Sequence, residues 1–285
     1  MIEERLRPLV CERFIADEKY RKGHIAVLAA PEGTRILGLH VPEMKRFAKE
    51  AVRDGSWRGL AAGFTEILRT EGPAGLSYEE RTIWGLILDY IKCPLAERLA
   101  LIGDFLPAID SWGICDIFCC NSKWIAKEDR EAVWQWICSL FESDEEFVFR
   151  TATVLSMSHF LGDGDFRRTF SRIAGAGLQE GEPYYIRMGV AWLLATALAK
   201  HQEETVRFAR SSGLPKDILS LYVRKARESR LTKGVTALSG DSETDIRQKG
   251  WEAFSKMRET VAANNLQDMS LDEINAIIAE VRNEK

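Results

Sequence analysis

Trp112 and Asp116 are the residues of this chain whose types and spacing most suggest chemistry. They stand four apart in Asp110-Ser111-Trp112-Gly113-Ile114-Cys115-Asp116, which puts both on one helix face. A large indole beside a carboxylate suits a surface where something planar and electron-poor must sit. A second indole, Trp192, lies in an otherwise apolar helical stretch, and Arg150 falls between the two tryptophans. Two indoles can hold a planar cation by stacking and cation–π attraction. An ionised Asp116 would favour positive charge at an adjacent sugar carbon. Cleavage of an N-glycosidic bond has that need, because its transition state resembles an oxocarbenium ion. A base alkylated on a ring nitrogen already carries charge and leaves without a general acid. One carboxylate then suffices, to stabilise the sugar cation or to orient water. Arg150 could bind a phosphate or hold Asp116 in place. The competing reading is structural: the chain has eight Trp, and most must be core.

The elements that must position these residues are helices, and strand signals are nearly absent. Val41-Pro42-Glu43 starts a helix with Pro in its first turn, followed by Met44, Phe47, Ala48 and Ala51 on one face. Ser77-Tyr78-Glu79-Glu80 reads as a capping box, and Ser143-Asp144-Glu145-Glu146 as another. Further helices are expected over 132–141 and 184–200. The breaks are short and rich in Gly and Pro. Helix pairs recurring at about 35–45 residues fit an all-α, HEAT-like α-α superhelix, a curved solenoid whose concave face binds ligands.

Composition bounds the rest. Apolar residues make up 46% of the 285, enough for a sizeable core. The net charge of −4 and a pI of about 5.8 argue mildly against non-specific nucleic-acid binding without excluding a local cationic patch. Six Cys form no CxxC pair and the chain holds four His, so neither a metal nor another cofactor is expected. The charged start Met1-Ile2-Glu3-Glu4-Arg5 is unlike a signal peptide, and the apolar run 188–199 is too short to span a membrane. The expected location is cytoplasmic, with no membrane partner.

Four stretches of the chain resemble the DNA alkylation repair family of the AlkD type, DNA glycosylases built from HEAT-like repeats. Leu37 to Lys49 looks like an early Gly-Val-Arg-x-Pro-x-Leu-Arg-x-Leu-Ala-Lys element. Phe105 to Asp116 looks like an Asp-Asn-Trp-x-x-x-Asp core. Phe149-Arg150-Thr151-Ala152 sits where the family has its arginine, and Tyr184 to Trp192 looks like its last aromatic helix. The resemblance runs from about Tyr20 to about Thr232. It implies that Asp116 is the catalytic carboxylate, that Trp112 and Trp192 line the lesion site, and that Arg150 supports the site and DNA. The implied substrate is double-stranded DNA carrying N3- or N7-alkylated purines, read on the concave surface without swallowing a flipped base. Early arginines of the family are His40 and Lys45 here. A basic residue found in some members one turn after the last Trp is Ala195, and a frequent Lys is Met188. Lost cations weaken phosphate contacts. The remaining candidates for lesion or DNA binding are Tyr20, Lys45, Arg46, Lys123 and Arg187, with Lys127 beside them.

The expected division is a repeat domain over 1–231, a Gly/Ser/Thr-rich linker over 232–245 and a helical extension over 246–285. The last segment opens with the capping box Ser270-Leu271-Asp272-Glu273. It carries an apolar stripe of Leu271, Ile274, Ile277, Ile278 and Val281, which must dock on the domain or on a partner or second copy. Residues 269–275 resemble the end of some small RelB-type antitoxins. Two functions follow: an alkylpurine glycosylase, or a non-catalytic helical-repeat module that binds DNA or protein.

Overall fold

The computed structural model describes residues 2–235 and Ala237. Most of the expected linker and all of the C-terminal extension with its apolar stripe lie outside the described residues. No strand occurs among the described residues. The helices run α1 (Ile2–Leu6), α2 (Glu12–Ala16), α3 (Glu18–Leu28), α4 (Val41–Arg53), α5 (Trp57–Glu71), α6 (Tyr78–Tyr90), α7 (Leu95–Phe105), α8 (Trp112–Asn121), α9 (Arg130–Leu140), α10 (Glu146–His159), α11 (Phe166–Ala174), α12 (Tyr184–Leu198), α13 (Gln202–Ser211) and α14 (Lys216–Glu228).

From α4 onward the order is that of an α-α superhelix. The even helices α4, α6, α8, α10, α12 and α14 pack side by side in one row, each on the next. They start at residues 41, 78, 112, 146, 184 and 216, a repeat somewhat tighter than the sequence spacing suggests. The odd helices form an outer layer: α5 lies on α4 and α6, α7 on α6, α9 on α10, and α13 on α12. The helices expected over 132–141 and 184–200 appear as α9 and α12 within two residues of those bounds.

Burial explains the row. On α4 only Met44, Phe47, Ala48 and Ala51 are buried, the stripe read from sequence. On α6 every residue from Tyr78 to Asp89 is buried, as a helix flanked on all sides must be. An aromatic chain, Phe64, Trp84, Phe105 and Phe118, runs through this core with ring centroids 5.3–5.6 Å apart. Trp57, Trp84, Trp124 and Trp134 are core residues, so the structural reading holds for them.

The polar groups on α6 tie loops to the row. Ser77 and Glu80 form the expected capping box. The buried Glu79 carboxylate accepts N–H bonds from Leu37, Gly38 and Leu39. Buried Arg81 pairs with Asp110, just before α8. These bonds fix the entry into α8 and hence the direction in which Trp112 and Asp116 point. Gly113 is required there, since a Cβ would lie 2.4 Å from the Tyr78 hydroxyl oxygen.

One expected cap does not form. α10 begins at Glu146 with Glu145 as its N-cap and no side-chain cap bond. Ser143 Oγ accepts instead from the Glu145 N–H, closing a local turn. The Glu146 carboxylate reaches outward to the Tyr185 N–H at 2.7 Å, so the α12 amino end uses the acid that a capping box would need.

Candidate active site

A cavity of about 490 Å³ opens on the even row, and none of its walls comes from α5, α7, α9, α11 or α13. Helix α8 contributes Trp112 and Asp116, α10 contributes Arg150, and α12 contributes Tyr184, Tyr185, Met188 and Trp192. The structure therefore brings together Trp112, Asp116, Arg150 and Trp192. Both indoles are partly exposed rather than sealed in core.

Asp116 and Arg150 are locked as a fork. Arg150 Nε donates to Asp116 Oδ1 at 3.1 Å and Nη2 to Oδ2 at 3.0 Å. Two parallel charge-assisted bonds fix the carboxylate plane as well as its position. The third nitrogen, Nη1, donates to the Tyr185 carbonyl at 3.0 Å, so one guanidinium joins α8, α10 and α12. The side chains are 4% and 12% exposed. Of the two roles open to Arg150 in sequence, holding Asp116 is the one its geometry fulfils.

The electrostatics follow from this burial. Desolvation pushes the Asp116 carboxyl above its usual range, opposed by the charge and hydrogen bonds of Arg150 and by the charge of Lys225. Burial would lower the Arg150 guanidinium, but the Asp116 carboxylate more than offsets it and holds it above its ordinary value. The fork is an ion pair, with a carboxylate less comfortable than one in water.

Tyr185 is packed against Phe147 with ring centroids 5.1 Å apart and lies under the Arg150 guanidinium at 5.6 Å. Tyr184 stands edge-on to Tyr185 and is exposed. Arg224, Lys225 and Glu228 on α14 form the opposite wall, and Ala29, the left-handed C-cap of α3, touches the rim. Sequence reasoning missed the α14 set. Its buried stripe of Ile218, Tyr222 and Ala226 marks a packed face, but nothing local says that the other face looks across at Asp116. The two tyrosines lay inside a recognised stretch, yet their types alone did not single them out.

The other expected binding residues are dispersed. Lys45 and Lys123 line a separate groove of about 660 Å³ at the carboxyl ends of α6 and α8, together with Lys49, Lys92 and Lys127. Arg46 borders a shallow hollow on α4 beside Arg53. Tyr20 on α3 bonds His40 through its hydroxyl at 3.1 Å, away from the cavity walls. Arg187 faces away from the cavity: its Nε donates to the Glu182 carbonyl and its Nη1 pairs with Asp217 at 3.2 Å. That pairing ties the loop before α12 to the start of α14, which helps to set the α14 wall.

The fold and site thus define an α-helical superhelix with an aromatic, cation-walled cavity around a buried carboxylate. A family model described as DNA alkylation repair enzyme matches residues 13–233. The chain belongs to that family, which places it among enzymes of DNA repair. No curated protein and no solved structure matches it. Among the described residues, no helix is long and apolar enough to cross a membrane.

Proposed function

We propose that the chain is a DNA glycosylase that releases cationic N3- and N7-alkylated purines from duplex DNA. The observation that carries this reading is the Asp116–Arg150 fork at the floor of a cavity shared by Trp112 and Trp192. The indole faces attract a planar cationic base. As the glycosidic bond breaks, its electron pair leaves with the base, which departs neutral, and positive charge develops on the sugar. The Asp116 carboxylate, 12% exposed, stabilises that charge where low local polarity strengthens the interaction. Each carboxylate oxygen gives one lone pair to Arg150 and keeps another, so Asp116 can also accept a proton from the water that adds to the sugar carbon. Arg150 is a positioning residue: it holds the carboxylate in the direction this requires and removes the freedom to turn away.

The test is incubation with N-methylated DNA and chromatographic measurement of freed bases. Asp116→Asn keeps the shape and removes the charge, and it should slow release by roughly 10²–10³-fold. Only the ionised form of Asp116 stabilises the cation. Because its carboxyl titrates above the usual range, release should also fall on the acid side of neutrality as protonation sets in. No release by the wild type, or undiminished release by Asp116→Asn, would sink the proposal. Duplex binding without release would instead fit a non-catalytic helical module.

A further inference from the structure

A second cavity, of about 510 Å³, lies on the far side of Trp192. Trp192, Lys225 and Glu228 line both cavities, so they form a partition between them. The second cavity is bounded by Ala195 and Thr196 on α12, by Ala199 at its C-cap, and beyond α14 by Ser229 and Leu231. Lys200 closes its outer end. Ala195 and the C-cap Ala199, one turn apart at the carboxyl end of α12, are small and leave room for the hollow. Ala195 is the position at which a cation was missed in the sequence. The structure replaces that cation with space and supplies charge from Lys225 and Lys200 instead.

We propose that this second cavity is a nucleotide subsite, taking the neighbour of the damaged nucleotide on the same DNA strand. The proposal rests on the glycosylase reading for which nucleotide occupies the first cavity. Three features fit a nucleotide. The volume lies in the range of pockets that hold small organic ligands. Ala199 and Leu231, both exposed and the latter at 81%, offer an apolar surface for a sugar edge. Lys225 stands in the partition, where a phosphodiester joining the two nucleotides would pass, and its charge reaches Asp116 across the first cavity. Glu228, the one acid in the wall, lies 3.9 Å from Arg224 Nε, which leaves Lys200 and Lys225 to set the sign. The carboxyl end of α12 attracts no anion, so the grip on phosphate falls to these two lysines.

The experiment measures binding of the full chain to duplexes carrying an abasic-site analogue, with single flanking phosphates replaced by neutral methylphosphonate. For the wild type, neutralising one particular flanking phosphate should weaken binding about three- to tenfold. In Lys200→Gln that penalty should shrink. In Ala195→Leu, which fills the hollow, binding to the unmodified duplex should weaken by a similar factor. Lys200 is an exposed side chain whose loss leaves the core intact, so it keeps the test valid if Ala195→Leu folds poorly. Equal penalties in wild type and Lys200→Gln, or no wild-type binding at all, would overturn the subsite. Base release measured in parallel separates the two proposals. Release without the phosphate coupling removes the subsite alone, whereas coupling without release removes the glycosylase reading and leaves a DNA-binding subsite.

Discussion

Asp116 and Asp89 are the same residue type on the same row of helices, each at the floor of a hollow, and the structure treats them differently. Asp116 faces a guanidinium fork inside an aromatic cavity. Asp89 lies at the carboxyl end of α6 beneath the lysine groove and accepts a Ser122 hydroxyl bond at 2.8 Å, with the Trp124 indole N–H beside it. Its nearest cation, Arg98, is turned to the carbonyls of Leu88 and Ile91 at the end of α6. Burial therefore drives the Asp89 carboxyl far above its usual range, with the Ser122 hydroxyl and the charge of Arg98 opposing it only in part. Asp116 is less deeply buried and meets a cation in direct contact. A buried carboxylate stays charged when a cation is fixed against it, and otherwise favours its neutral form. The first arrangement suits charge stabilisation. The second suits a polar floor under a surface whose charge is carried by free lysines.

The comparison can be broken at either end. The largest effect is expected from Arg150→Ala, which strands the Asp116 charge in a buried site. Loss of one partner of a buried pair typically costs about 3–5 kcal/mol, so denaturant unfolding should show a destabilisation of that order. A loss below about 1 kcal/mol would mean that Asp116 is better solvated than its 12% exposure suggests.

Asp89→Asn should act in the opposite sense. With its folded pKa raised, Asp89 adds stability while it is protonated, below the ordinary carboxylate range. That contribution is lost as pH rises through the raised folded value. The wild type should therefore lose stability relative to Asp89→Asn as pH is raised across the range from about 4 to neutrality. Urea titrations at both ends of that range measure the difference, and parallel curves for the two proteins would contradict it.

The smallest effects belong to the groove. Lys45→Gln and Lys123→Gln should each lower the salt slope of duplex binding by about 1 and leave the single-turnover rate of base release nearly unchanged. If either variant slows release as much as Asp116→Asn does, the division between a chemical cavity and a gripping groove is wrong.

Much of this was legible in the chain. The i,i+4 pair of Trp112 and Asp116 fixed a shared helix face, and the stripe of α4 and the cap of α6 appeared where their patterns lay. The cap expected at Ser143 failed because Glu146 spends its carboxylate on the Tyr185 N–H of another helix. Residue type, with Arg187's place in the last aromatic stretch and Tyr20's at the start of the resemblance, makes these two binding candidates in the sequence. Side-chain direction gave both of them structural partners instead. Arg224 and Lys225 escaped notice for the converse reason: a charge on an ordinary amphipathic helix looks solvated until its facing neighbour is known.

What the sequence by itself determined is the helical class, the pairing of an indole with a carboxylate, and the membership of a repair family. These depend on spacing along one helix and on residue types, which are local quantities. Only the tertiary structure decided that Arg150 clamps Asp116, that α14 walls the cavity with cations, and that Trp192 divides two hollows. Those facts depend on the rotation and offset of helices far apart in the chain, set by how their buried faces interlock.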